Sequence, residues 1–332
     1  MATVPRDSVV SALLYDSSGN DSEATVDQIG PADLPDEQLL WVDIRSTNLT
    51  AVREVTDRLE LPGPVISRLL AYDSALQLDN YGDFFSLAIV AIVASAETTA
   101  ALKTARVLFL VGRTWLISIH DGPVKMVTGF RKQDKGDTNI GRLTPALLLS
   151  ALLDWHLSAF LVEVSNIESE ADRLDESILD GMETHALLTK MVRIRKRISL
   201  LRHVLSAQRN AIYGLSRPDF ALVTGEESRS QMELIAARFD RAIDEIERSR
   251  DVIIGSFDLF TSLTAQKTNE LVKALTYVTV VIGLCSAIAG LMGMNFDLPL
   301  FKTGMAGFLS VIAGLAIMIV LSFGWAKWRK WL

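Results

Sequence analysis

The sequence predicts an α+β chain: an N-terminal α/β domain, a long helical stalk of coiled-coil-like, funnel-forming character, and two C-terminal transmembrane helices. Three observations predict it. No charged residue occurs from Ala274 to Phe296 or from Thr303 to Ala326, and each run can supply the ~20 residues needed to cross ~30 Å of hydrocarbon. No proline interrupts the chain between Pro218 and Pro299, so one helix can run from about Glu226 into the first apolar run, ending near Gly293. Before residue 140 the apolar stretches are short and β-branched, with helical periodicity between them, which is an α/β pattern.

The strands are expected at "SVVSALLYD", "LLWVDI", "FFSLAIVAIV" and "ARVLFLVGRTWLISIHD". Helices are expected at "NLTAVREVTDRLEL" and "PVISRLLAYD". The polar, Gly-bearing "RKQDKGDTNIGR" (131–142) reads as a linker. After it, Thr144-Pro145 starts a helix, with Pro at its first position, that reaches about Leu179 before Asp180-Gly181. A second helix is expected from about His185 to Arg217, ending at Pro218. Thr224-Gly225-Glu226-Glu227 has the form of a capping box. The long helix that follows would measure roughly 100 Å at 1.5 Å per residue.

The domain boundaries follow: an α/β domain (1–140), a helical hairpin (144–218), a stalk (224–270), a first membrane helix (271–294), an external loop (295–302), a second membrane helix (303–326) and a basic tail (327–332). Lys267 and Lys273 precede the first span and "KWRKWL" follows the second, while only Lys302 lies between them. The positive-inside rule then puts both termini in the cytoplasm and residues 295–302 outside; the expected location is the cell (inner) membrane, as a multi-pass protein. Met1 to Val10 has no apolar h-region, so no signal peptide is expected and the first 270 residues read as soluble.

Composition narrows the function. The mean hydropathy is +0.27 although 22% of residues are charged, so the apolar excess is concentrated at the C-terminus. A net charge of −7 argues against nucleic acid and leaves cations as the natural partner. One cysteine, Cys285, allows no disulfide within the chain, and the four histidines (His120, His156, His185, His203) have no ligand spacing. No phosphate loop, nucleophile elbow or metal-ligand cluster marks an enzyme, and no cofactor is expected.

Steps of three and four along the long helix pick out one line of residues. It starts with Glu233, Asp240, Asp244, Glu247, Asp251 and Asp258, passes Ala265, Asn269 and Val272, and continues through Thr276, Thr279, Gly283, Ser286 and Gly290 to Gly293. A sustained 3-4 repeat is the geometry of helices wound about a common axis. Taken separately, small residues suit close helix packing, and acids interleaved with Arg238, Arg241, Arg248 and Arg250 suit a solvated face. Together, acids leading into hydroxyls and glycines describe a route for a cation, which needs a ring of subunits.

Gly293-Met294-Asn295 after an apolar helix, preceded by "KTNELVKALT" (267–276) and followed by a span ending "KWRKWL", resembles the CorA family of divalent-cation transporters, which includes the zinc-transporting ZntB branch. "LLRHVLSAQRNAI" (200–212) also resembles a family signature, with Ala207 where a proline is common. The resemblance implies a homopentamer in a lipid bilayer, with Gly293, Met294 and Asn295 as selectivity filter and five Asn295 amides holding a hydrated cation. It places the family's pore positions at Asn269, Val272, Leu275, Thr279, Gly283, Ser286 and Gly290; Thr276, on the seam, adjoins Leu275. Asp258 falls at an acidic inner mouth, below the funnel acids Asp240, Asp244, Glu247 and Asp251. Mg²⁺ is the expected cargo, with Co²⁺ or Ni²⁺ beside it; Zn²⁺ transport of the ZntB type is the alternative, and a membrane-anchored scaffold or sensor is the alternative of another class. Three departures stand out: Met292 replaces a common aromatic, Asp297 is the only acid in the loop with Lys302 against it, and Gly283 replaces a bulky apolar residue.

Overall fold

The computed structural model describes residues 9–17, 21–24, 35, 38–71, 76–94, 102–133, 139–179, 184–217, 220, 226–294 and 304–329. It divides into two units, Met1–Ile254 and Gly255–Leu332.

The first unit is built on a mixed sheet of seven strands: β1 (Val10–Asp16), β2 (Ser22–Ala24), β3 (Gln38–Ile44), β4 (Leu78–Asn80), β5 (Phe85–Ile92), β6 (Thr104–Val111) and β7 (Trp115–His120). Their order is β2-β1-β3-β7-β6-β5-β4, with β3 and β7 parallel and the other pairs antiparallel. Every expected apolar stretch carries a strand, and "ARVLFLVGRTWLISIHD" carries two, joined at Gly112. The short edge strands β2 and β4 have no apolar run to announce them. β3 is buried almost end to end, which explains why it reads as a continuous apolar run rather than an alternating one.

Leu40, Val42 and Ile44 point to one face of the sheet, into a core with Val52 and Val55 of α1 (Leu49–Arg58) and Ile66 and Leu69 of α2 (Gly63–Leu70). Asn48 caps α1 by accepting from the Thr50 amide at 3.0 Å. Trp41 and Asp43 take the opposite face, where Trp41 meets Phe130 of α3 (Lys125–Gln133) edge-on at 5.5 Å. This helix corrects the linker reading. Arg131 to Gln133 end α3 because Met126, Val127 and Phe130 bury one side of it, and a 3-10 turn follows at Asn139–Arg142.

α4 (Pro145–Leu179) starts where expected, and Thr144 Oγ accepts from the Leu147 amide at 3.2 Å. The expected second helix is corrected. α5 (Thr184–Ala207) breaks at Gln208 and α6 (Arg209–Leu215) continues. Gln208 is fully buried, and its side-chain amide donates to the carbonyls of Val204 (2.8 Å) and Val90 (3.0 Å). A polar side chain with no solvent must find such partners, and here the backbone of β5 supplies one.

α7 (Glu226–Met292) is one helix of 67 residues and contributes to both units. Glu226 and Glu227 fill its first turn, favourably for the helix dipole; Thr224 and Gly225 of the expected capping box lie outside the described residues. α8 (Met305–Trp328) is the second apolar helix. Among the described residues three helices are apolar enough to cross a membrane, and burial separates them. The apolar window of α4 is 61% buried in the protein, whereas those of α7 and α8, with mean hydropathies of 2.0 and 2.4, are 0% and 6% buried. The apolar surface of α4 is used by the core, and that of α7 and α8 is left for lipid.

His156 of α4 lies in this core, 5.0 Å from the Phe160 ring, with Nε2 unpaired. Burial pushes its pKa down to about 4, against a smaller opposing effect of Gln208. The unfolded chain therefore binds a proton that the fold excludes between about pH 6.5 and 4. Stability is fully present above that window and falls as pH drops through it, by up to about 3 kcal/mol. His156→Leu is expected to flatten this part of the pH profile in denaturant titrations between pH 7.5 and 4; an identical slope in both proteins would remove His156 as the cause.

Candidate functional site on the long helix

In the second unit α7 and α8 form an antiparallel hairpin tied by a hydrogen bond between Tyr277 Oη and Ser322 Oγ at 3.0 Å. The residues of α7 that are shielded there are Ala274, Tyr277, Val281, Cys285, Ile288 and Met292. Asn269, Val272, Leu275, Thr276, Thr279, Gly283, Ser286 and Gly290 are all exposed. A helix turns about 100° per residue, so the small and hydroxylated line from Val272 to Gly290 centres on the side opposite α8. Leu275, 67% exposed, flanks it.

Gly283 and Gly290 have nothing within 4 Å of where a Cβ would stand. Small residues used for packing inside the hairpin would face α8, and these do not. The Thr276 hydroxyl donates to Val272 O at 2.7 Å and that of Thr279 to Leu275 O at 2.8 Å. Each hydroxyl proton is thereby turned into the helix, and the oxygen lone pairs are left facing outward as acceptors. α7 closes with the Gly293 amide donating to Ala289 O and Gly290 O and the Met294 amide to Leu291 O. Asn295 and the rest of the loop lie outside the described residues.

The line of acids divides. Asp240 accepts from Arg209 at 3.1 Å and from Tyr213, and Glu247 pairs with Arg202 and, at 3.8 Å, with Arg250. Asp251, exposed, reaches Arg250 at 3.3 Å. Asp244 and Asp258 are exposed, and the charge of Asp244 acts on Arg248 one turn along the helix. Asp240 and Glu247 are thus charge-compensated by α6 and α5, a pairing the sequence could not announce. Among the described residues no group of three His, Cys, Asp or Glu side chains could hold a metal.

A second polar cluster was not anticipated. On the α3 face of the sheet, fully buried Asp43 accepts from Ser118 Oγ at 2.6 Å and His120 Nε2 at 2.9 Å, with Arg131 at 3.4 Å and Arg45 at 3.7 Å. His120 Nδ1 meets Gly122 O at 2.6 Å, and Trp41 Nε1 donates to Ser118 Oγ at 3.1 Å. Burial pushes the Asp43 carboxyl up, but the His120 hydrogen bond, the charges of His120 and Arg131 and the Ser118 hydroxyl outweigh it and hold it below the usual carboxylate range. The cluster locks β3, β7 and α3 together.

A mixed-sheet domain, a long helix that continues into an apolar hairpin, and a polar line on that helix's free side define a class of membrane protein. The sequence profile described as CorA-like Mg2+ transporter protein matches residues 36–328. The chain belongs to that family, one of membrane ion transporters. The cobalt/magnesium transport protein CorA of Thermotoga maritima is 31% identical over 194 residues, covering 56% of this chain and 52% of that protein. The zinc transport protein ZntB of Yersinia enterocolitica is 24% identical over 201 residues, covering 59% and 58%. The complete structure of the CorA magnesium transporter from Methanocaldococcus jannaschii superposes with a TM-score of 0.79 at 21% identity, covering 100% of both chains.

Proposed function

We propose that this protein is a homopentameric divalent-cation channel of the inner membrane, with Mg²⁺ as its main cargo and Co²⁺ or Ni²⁺ as further cargo. The observation that carries the reading is the free side of α7: a line from Asn269 to Gly290 that its own hairpin leaves uncovered. Five copies would turn this line to a common axis. Thr276, Thr279 and Ser286 then offer hydroxyl oxygens to a hydrated ion, and Gly283 and Gly290 leave it room. Asp258 sits at the inner mouth, with Asp244 and Asp251 above it in the stalk, where rings of carboxylate raise the local cation concentration. Asp240, Glu247 and Asp251 add less than Asp258, since arginines already face them. Gly293 and Met294 end the helix so that Asn295 rings the outer mouth, with loop 295–302 outside and both termini in the cytoplasm.

The donor chemistry supports magnesium. Oxygen atoms and retained waters suit Mg²⁺, which dehydrates reluctantly, whereas Zn²⁺ prefers thiolate and imidazole. Cys285 is on the α8 side, and no histidine lies on the line. Native mass spectrometry of the purified full chain is expected to give a pentamer, and proteoliposomes are expected to pass Mg²⁺ faster than Zn²⁺. A monomer or dimer would remove the pore. Zinc flux without magnesium flux would return the ZntB-type reading, and a pentamer without flux would leave a scaffold.

A further inference from the structure

Within the apolar hairpin a groove of about 380 Å³ lies between α7 and α8. Its walls are Tyr277, Val280 and Leu284 on α7 and Met318, Ser322 and Trp325 on α8. The only polar side-chain atoms among these six, apart from the Trp325 indole, are the Tyr277 and Ser322 hydroxyls, which bond to each other. Thr276, at the edge, turns its hydroxyl proton to Val272 O. The groove therefore presents carbon.

The two walls follow helical spacing beyond the groove. On α7 the step back from Tyr277 by four, or from Val280 by seven, reaches Lys273, which is exposed on the groove side one turn nearer the stalk. On α8 the line Met318, Ser322, Trp325 continues by four to Arg329, whose guanidinium stands over the Trp325 ring at 5.8 Å. The Tyr277–Ser322 bond sets the helices antiparallel in register, so Lys273 and Arg329 fall at the same end of the groove. Lys327 is exposed in the same turn of α8 as Arg329. The nearest acid on this side of α7, Glu270, already accepts from the Gln266 amide at 3.1 Å. One end of an apolar groove is thus positive and the rest is hydrocarbon-like.

We propose that this groove is a binding site for an anionic phospholipid, its acyl chain lying along Val280, Leu284 and Met318 and its phosphate held by Lys273 and Arg329. Water does not suit an apolar groove, and a neutral lipid would fill it without using the cations. An anionic headgroup satisfies both ends, and each Lys or Arg near an anionic lipid surface contributes about 1 kcal/mol, a factor of about five. Trp325 at the rim is placed as interfacial aromatics are. The proposal rests on the hairpin lying in a bilayer and on the groove staying uncovered when copies assemble about α7.

The test is native mass spectrometry of the full chain exchanged into phosphatidylglycerol or phosphatidylcholine. Wild-type protein is expected to retain phosphatidylglycerol preferentially, and Lys273→Gln and Arg329→Gln are each expected to reduce that preference about fivefold. Val280→Trp, which fills the groove, should lower retention of both lipids. Equal retention of the two lipids by wild type, or an unchanged preference when both cations are removed, would overturn the site. Efficient disulfide cross-linking of Val280→Cys between two copies in a Cys285→Ser background would also overturn it, because a second copy would then cover the groove.

Discussion

Asn295→Gly is expected to leave a folded oligomer that has lost its discrimination for divalent cations. Asn295 follows the turn that ends α7 at Gly293 and Met294. A residue there could serve only as a helix cap, since Asn tolerates the left-handed conformation. Glycine serves that role at least as well, so a capping residue would tolerate the change. A filter would not, because the amide oxygens that hold the ion's water shell would be gone. Hydrogen bonds involving a charged partner contribute about 1.5–3 kcal/mol, which corresponds to a ten- to hundredfold loss of occupancy at the filter. Asn295→Asp should act in the opposite direction: a carboxylate ring would bind divalent ions too tightly for rapid release. Flux and selectivity in proteoliposomes separate the cases. Wild-type behaviour of the glycine variant would reduce Asn295 to a cap.

Asp43→Ala is expected to be the most destabilising single truncation in the first unit. The carboxylate is fully buried and is the shared acceptor for Ser118 and His120, with Arg131 beside it. Removing one member of a buried charged network costs about 3–5 kcal/mol, because the remaining charges stay buried without compensation. Asp43→Asn retains an acceptor oxygen but no charge, and should fall between alanine and wild type. Denaturant titrations followed by the fluorescence of Trp41, which bonds to Ser118, would measure both. A loss below about 1 kcal/mol for alanine, the range of exposed ion pairs, would mean that the cluster relaxes or takes in water.

Much of this protein was legible without coordinates, and the legible part is local. An uninterrupted helix from Glu226 to Met292 follows from the absence of proline, and the two apolar runs follow from uncharged length. The line from Asp240 to Gly290 is visible because a helix converts spacing into a face. The Thr144 cap and the strands of the sheet belong to the same category, since each depends on a few neighbouring residues.

The tertiary structure decided what those faces meet. The apolar run of α4 looks as capable of spanning a membrane as the hairpin until the core is seen to bury it. Gln208 interrupts a helix because a carbonyl of β5, 118 residues away, accepts its amide. Asp240 and Glu247 look like free acids until Arg209 of α6 and Arg202 of α5 arrive beside them. Asp43, one polar residue in an apolar strand, becomes the centre of a network only when β7 and α3 bring Ser118, His120 and Arg131 to it. Most tellingly, the hydroxyl and glycine line could have been the seam of the α7–α8 hairpin, and α8 instead packs on the other side. A repeat along a helix records that a face is distinctive. Which partner covers that face, or leaves it free for an ion, depends on contacts between residues far apart in the chain, and only the folded chain supplies them.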